Sequence, residues 1–100
     1  MSLSNILFIA NLPSLDIHGI DRDYARIKIN EFIEDSHIMG NEYIVIVHGM
    51  GTGVLTKETS KTLRENKKVV EYQIYRGNNG CTIAKIIKKK KWKKLDIQYF

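Results

Sequence analysis

The sequence predicts a small α+β domain with two layers, a mixed four-stranded sheet and two helices on one of its faces. Three observations support this fold class. The 100 residues are 43% hydrophobic, enough for one core and too few for two full domains. Two segments have the apolar spacing of helices, and four have the pattern of strands. In their order, β-α-β-α-β-β, right-handed crossovers place both helices on the same face.

The first half of the chain contains a strand, a helix and a second strand. Residues 15–18 alternate apolar and polar side chains, so Asp16 and His18 point to the same side. Residues 22–38 have apolar side chains at helical spacing, between an aspartate that suits the N-cap and a glycine that suits the helix end. The β-branched and aromatic run at 43–47 predicts the second strand.

The second half of the chain predicts a further helix and a hairpin. A glycine-rich turn at 49–53 precedes apolar residues at helical spacing, which end near Asn66. Residues 69–75 and 82–87 form two strand-like runs. The glycines and asparagines between them tolerate a positive φ, so we expect a hairpin.

The chain divides into an arm at 1–13, a domain at 14–87 and a lysine-rich tail at 88–100. The single cysteine, Cys81, cannot form an internal disulfide, which favours a reducing compartment. The apolar run at 6–10 is too short for a signal peptide or a membrane span. We therefore predict a cytoplasmic protein with no membrane partner.

The positive charge lies towards the C-terminal end. Residues 1–60 have four Lys or Arg against eight Asp or Glu, whereas residues 61–100 have twelve against three. A basic end indicates a polyanionic partner, and nucleic acid is the commonest one in the cytoplasm. Composition alone does not separate DNA, RNA, the ribosome and an anionic membrane surface.

The tail and the second helix contribute candidate contacts to such a partner. Lys57 near the start of that helix and Lys89 and Lys90 in the tail are candidates for phosphate binding. Trp92 could stack on an unpaired base. The alternative is a solvated, frayed end, which is the usual state of a charge run.

Asp16 and His18 form the first candidate site. An imidazole titrates near neutral pH, and a neighbouring carboxylate can hold its tautomer, which suits general acid and base catalysis. The alternative is structural: Asp16 accepts hydrogen bonds from loop amides and His18 donates to a backbone carbonyl.

The turn His48-Gly49-Met50-Gly51-Thr52-Gly53 is the second candidate site. Glycines allow close approach to a phosphate, and the following helix start adds partial positive charge. The dinucleotide-binding loop would need a glycine at Val54, and the Walker loop would need Gly-Lys-Ser or Gly-Lys-Thr. The alternative is a tight turn that needs glycine for its geometry alone. No His or Cys cluster has zinc-site spacing.

Together these segments resemble the small MutS-related (Smr) domain family. Its hallmarks L-D-x-H-G and H-G-x-G-x-G-x-L match residues 15–19 and 48–55, and residues 80–86 are similar to its final strand. One departure is Tyr24, where many members have glutamate. The resemblance implies a fold like the C-terminal domain of translation initiation factor three, in a stand-alone member.

The resemblance also implies nicking or endonuclease activity on DNA or RNA. By position, Asp16 and His18 become the catalytic pair. The candidate phosphate contacts are His48, Gly49, Gly51, Thr52 and Gly53. A non-catalytic module that binds nucleic acid or the ribosome is the alternative, and a small-molecule phosphate binder is a third class.

Chemistry favours RNA as the substrate. RNA cleavage can use the neighbouring 2′-hydroxyl as nucleophile, so one histidine and amide donors suffice without metal. DNA hydrolysis requires an activated water, usually on Mg²⁺ or Mn²⁺ held by carboxylates. Here Asp16, Asp21 and Asp23 are the carboxylates near the candidate site in sequence. We therefore predict no resident metal for RNA cleavage, with metal-assisted nicking of DNA as the alternative.

Overall fold

The computed structural model describes residues 11–75 and 79–88 of the chain. Most of the arm, residues 76–78 and most of the tail lie outside these residues. The elements follow the predicted order: β1 Ser14–Asp16, α1 Arg22–Ile38, β2 Tyr43–Val47, α2 Val54–Glu65, β3 Val69–Ile74 and β4 Cys81–Ile86.

The four strands form one mixed sheet in the order β1-β2-β4-β3. β1 and β2 are parallel, as a crossover through α1 requires. β4 is antiparallel to both β2 and β3. The predicted hairpin is therefore present, and the connection from β2 through α2 to β3 places β3 at the far edge of the sheet.

Both helices cover the same face of the sheet, which confirms the predicted fold class. Alternate residues of β2 and β4 point to this face, and they form one buried core with the apolar sides of α1 and α2. Its fully buried members include Ile29, Ile33, Ile44, Ile46, Leu63 and Ala84. The intervening residues, Val45 among them, form a second buried cluster on the opposite face. Neither described helix is long and apolar enough to cross a membrane.

The ends of α1 agree with the prediction because local contacts determine them. Asp21 Oδ2 accepts hydrogen bonds from the amides of Asp23 at 3.0 Å and Tyr24 at 3.4 Å. Gly40, just after the helix, has a φ of 84°, which L-residues rarely adopt. β1 is shorter than predicted and ends at Asp16.

Two buried threonines of α2 provide a matched test of its packing. Thr59 Oγ1 has no hydrogen-bond partner among residues 11–75 and 79–88, whereas Thr62 donates to Glu58 Oε2 at 3.2 Å. We expect T59V to raise the free energy of unfolding by about 1 kcal/mol, because it removes an unsatisfied buried hydroxyl. The matched variant T62V should lower it by about 1–2 kcal/mol. Urea denaturation measures both, and destabilisation by T59V would contradict the expectation.

Candidate active site

The two sequence motifs meet at one edge of the sheet because β1 and β2 are parallel. Asp16 pairs in register with Val47, and the amide of Ile17 donates to the Val47 carbonyl at 2.8 Å. The carboxyl ends of both strands therefore lie side by side. This arrangement places His18, after β1, next to the glycine-rich turn after β2.

Asp16 and His18 are in direct contact on the surface. Asp16 Oδ1 accepts from the His18 amide at 3.0 Å and lies 2.5 Å from the ring Nδ1. The hydrogen bond from the ring, followed by that from the amide, lowers the pKa of the Asp16 carboxyl. An ionised carboxylate only accepts, so Nδ1 is the donor and Nε2 is left without a partner among the described residues. The side chains are 70% exposed for His18 and 57% for Asp16.

A cleft of about 470 Å³ lies between the two motifs. We call it the active-site cleft. His18, Gly19 and Ile20 line one wall, and the turn with the first residues of α2 lines the other. The second wall consists of His48, Gly49, Met50, Gly51, Thr52, Gly53, Val54, Leu55 and Thr56.

Two glycines of the turn are required by its geometry. A Cβ on Gly49 would lie 3.4 Å from His18 Cβ, so the small residue lets the turn approach the imidazole. Gly53 has a φ of 87° and occupies the N-cap of α2. The glycine pattern thus shapes the cleft and starts the helix.

The first residues of α2 line the active-site cleft, and their amides have no backbone acceptor among residues 11–75 and 79–88. Lys57 is the first residue of α2 whose amide bonds to a backbone carbonyl, that of Gly53 at 3.0 Å. Within the described residues, the amide of Val54 has only a 3.5 Å contact with Thr52 Oγ1. The N-cap has no side chain to accept hydrogen bonds. These donors and the helix dipole form the kind of environment that binds anions.

His48 lies beneath the turn and is only 3% exposed. Its Nδ1 is 2.8 Å from the Gly49 carbonyl oxygen and 3.1 Å from Thr56 Oγ1, and its Nε2 is 2.8 Å from Thr82 Oγ1. Because a carbonyl only accepts, Nδ1 donates, and in the neutral ring Nε2 then accepts from the Thr82 hydroxyl. The ring thus connects β2, the turn, α2 and β4. Its contact with a phosphate stays a prediction.

The structure brings together most of the predicted site residues. All five predicted residues of the turn line the active-site cleft with His18, and Asp16 lies behind the imidazole. Lys57 lies outside the cleft, in the groove beside it. Lys89, Lys90 and Trp92 lie outside the described residues.

The apolar rim of the active-site cleft was not predicted from the sequence. Ile20, Met50 and Val54 line it, and the last two are large, exposed hydrophobic residues. Each lies within two residues of a glycine of the motifs, which is the sequence signal that could have identified them.

The described carboxylates are not gathered for metal binding. Asp21 caps α1, and Asp23 pairs with Arg26 at 3.2 Å. Residues 11–75 and 79–88 contain no group of three or more His, Cys, Asp or Glu that could hold a metal ion.

Burial, and then the charge of Asp16, raise the pKa of the Cys81 thiol. The thiol is therefore protonated at neutral pH and a poor nucleophile.

A βαβαββ domain with a histidine-aspartate pair facing a glycine turn defines the class of small MutS-related domains. The family model of the Smr domain matches residues 15–87, and the chain belongs to this family. The endonuclease MutS2 of Caldanaerobacter subterraneus subsp. tengcongensis is 36% identical over 77 residues, which are 74% of this chain and 10% of that protein. The MutS2 of Symbiobacterium thermophilum is 31% identical over 77 residues, with the same coverage. The chain thus spans about a tenth of the length of these relatives.

Two solved structures have the same fold. The Smr domain of Thermus thermophilus MutS2 superposes with a TM-score of 0.74 at 23% identity, covering 76% of this chain and 99% of that one. Escherichia coli YdaL, a stand-alone small MutS-related protein, gives a TM-score of 0.68 at 20% identity, covering 75% of this chain and 64% of that one.

Proposed function

We propose that the protein is an endonuclease that cleaves RNA by transesterification without a metal ion. One observation supports this most directly: Asp16 fixes the tautomer of an exposed His18, which lines the same cleft as the start of α2. Within residues 11–75 and 79–88, neither the His18 Nε2 nor the first amides of α2 have a strong hydrogen-bond partner. The named activity of the MutS2 relatives, endonuclease, agrees with it. The basic composition of the chain also agrees with a nucleic-acid substrate.

His18 is the proposed general base and acid. Its Nε2 accepts the proton of the 2′-hydroxyl, and the O2′ oxygen then forms a bond to the phosphorus. The bond from phosphorus to the 5′ oxygen breaks, and the leaving oxygen takes a proton from the imidazolium or from water. The products are a 2′,3′-cyclic phosphate and a 5′-hydroxyl.

Asp16 and the turn support this reaction electrostatically. The Asp16 carboxylate stabilises the imidazolium that forms on His18, because it already accepts from Nδ1. The amides at the start of α2 face the charge that develops on the phosphorane oxygens. His48 holds the turn in place through its contacts with Gly49 and Thr82, so we assign it a positioning role.

The tail is proposed to strengthen binding. Lys89 and Lys90 would contact phosphates, and Trp92 would stack on a base. The substrate is proposed to be cytoplasmic RNA, including RNA on the ribosome, because the cysteine content favours a reducing compartment.

Cleavage is expected to persist in the presence of a chelator and to leave cyclic phosphate ends, because neither the nucleophile nor the base requires a metal. The measurement is incubation of single-stranded RNA with and without EDTA, followed by mass spectrometry of the products. Activity that depends strictly on Mg²⁺ or Mn²⁺ would overturn the proposal in favour of metal-assisted hydrolysis.

Two controls make this test specific. A substrate with one 2′-deoxy nucleotide at the cleaved position should resist cleavage there, since it lacks the nucleophile. Cleavage activity that does not co-elute with the protein on gel filtration would reveal a contaminating ribonuclease. Absence of cleavage by the wild-type protein on every substrate would leave the non-catalytic binding module.

A further inference from the structure

A groove between α1 and α2 continues from the active-site cleft. We call it the inter-helix groove. Its first section has a volume of about 420 Å³ and its second about 380 Å³. The first section is lined by Arg22, Asp23, Arg26, Val54, Lys57, Glu58 and Lys61. The second is lined by Arg26, Asn30, Thr62, Glu65, Asn66, Lys67 and Lys68.

Shared lining residues place the cleft and the two sections of the groove next to one another along one path. Val54 lines both the active-site cleft and the first section, and Arg26 lines both sections. The path follows α2, whose 12 residues extend over about 18 Å. The path is therefore long enough for several nucleotides beyond the one in the cleft.

The inter-helix groove has a surplus of positive charge. Six basic and three acidic residues line it. Arg26 contacts Asp23 at 3.2 Å and lies 3.9 Å from the buried Glu58, so these acids are largely compensated. Within the described part of the chain, no ion pair involves the basic groove residues Arg22, Lys57, Lys61 and Lys67.

We propose that the inter-helix groove binds the phosphate backbone of a single nucleic-acid strand whose scissile nucleotide occupies the active-site cleft. The placement of the scissile nucleotide in the active-site cleft rests on the proposed function. The binding of the strand along the inter-helix groove rests on the positive charge of the groove and on its position next to the cleft. A polyanion complements the unpaired basic residues. The exposed apolar side chains of Met50, in the active-site cleft, and of Val54, which lines both cleft and groove, suit an unstacked base.

A single strand fits this path better than a duplex. The groove is concave and is walled by two helices, so a flexible strand can lie within it and contact both walls. A duplex keeps its bases paired and stacked inside, out of reach of the apolar rim. The bound nucleic acid is therefore single-stranded along the groove.

Lys61 and Lys67 are the residues to test, because they line the groove and not the active-site cleft. K61E and K67E are each compared with K28E, which makes the same charge change on α1. Lys28 lines neither section, and its ammonium lies 5.8 Å from the centre of the exposed Tyr24 ring. The probes are fluorescent 2′-O-methyl RNA strands, which transesterification cannot cleave: a dinucleotide, which spans the active-site cleft alone, and a strand of about twelve nucleotides.

On the long strand, K61E and K67E should each weaken binding about fivefold and lower the salt slope by about 0.7. The short strand, which occupies the active-site cleft, should bind all three variants like the wild type. Fluorescence anisotropy across a salt series measures this. Equal effects of K61E and K28E would overturn the proposal, as would a long duplex that binds as tightly as the long strand.

The outcome is independent of the proposed reaction. If the groove variants behave as expected while no RNA is cleaved, the groove is supported and the nuclease is not. If cleavage occurs but long strands bind K61E normally, the nuclease stands and the groove is only a solvated surface.

Discussion

Replacing His18 with alanine is expected to slow RNA cleavage by about a hundredfold or more, the usual contribution of a general base. Binding of RNA and the stability of the fold should change little. The side chain is 70% exposed, and its only side-chain hydrogen bond among the described residues is to Asp16. Single-turnover cleavage, anisotropy and urea denaturation provide the three measurements.

The variant D16N tests how Asp16 acts. The amide no longer provides the charge that stabilises the imidazolium, so cleavage should fall while affinity stays the same. The pKa of Asp16 is lowered in the folded protein, so its stabilising effect is present above the unfolded pKa and is lost as the pH falls through the folded value. Its titration is thus confined to acid pH. Full cleavage by H18A or D16N would contradict the assigned roles.

Replacing His48 with alanine is expected to lower the free energy of unfolding by about 3 kcal/mol. The imidazole is buried, so its removal leaves a cavity. It also leaves the hydroxyl of Thr82, itself fully buried, without its ring partner. The turn would lose the contact with the Gly49 carbonyl as well. Denaturant midpoints of H48A and H18A should therefore differ widely, although both remove a histidine of a motif.

A double-mutant cycle separates the contact from the cavity. T82V removes the hydroxyl that donates to His48, and H48A with T82V removes both partners. The combined loss should be smaller than the sum of the two single losses. Additive effects, or an H48A protein as stable as the wild type, would show that the hydrogen bond between them contributes nothing.

The parts of the fold that local contacts determine could be predicted from the sequence. The bounds of α1 agree because Asp21 caps one end and Gly40 follows the other. The antiparallel pairing of β3 with β4 follows from the short connection between them in the sequence. The convergence of Asp16 and His18 with the glycine turn follows from parallel pairing of β1 and β2.

The role of His48 could not be predicted, because its partner Thr82 lies 34 residues further along the chain. Thr82 belongs to β4, and both α2 and β3 lie between β2 and β4 in the sequence. The motif identifies a histidine but not its burial. The inter-helix groove also depends on how α1 packs against α2. Its signal in the sequence is a pair of basic residues four positions apart on each helix, Arg22 with Arg26 and Lys57 with Lys61.

Among the four described strands, the three-residue β1 lies at an edge of the sheet and pairs only with β2. Edge segments with few partners open at a lower free energy than central strands do. The acid and the imidazole lie at the end of this strand, whereas the amide donors belong to the start of α2. Local unfolding of β1 would thus move the proton-transferring groups away from the amide donors, which remain folded. The protein would therefore lose activity before its core unfolds.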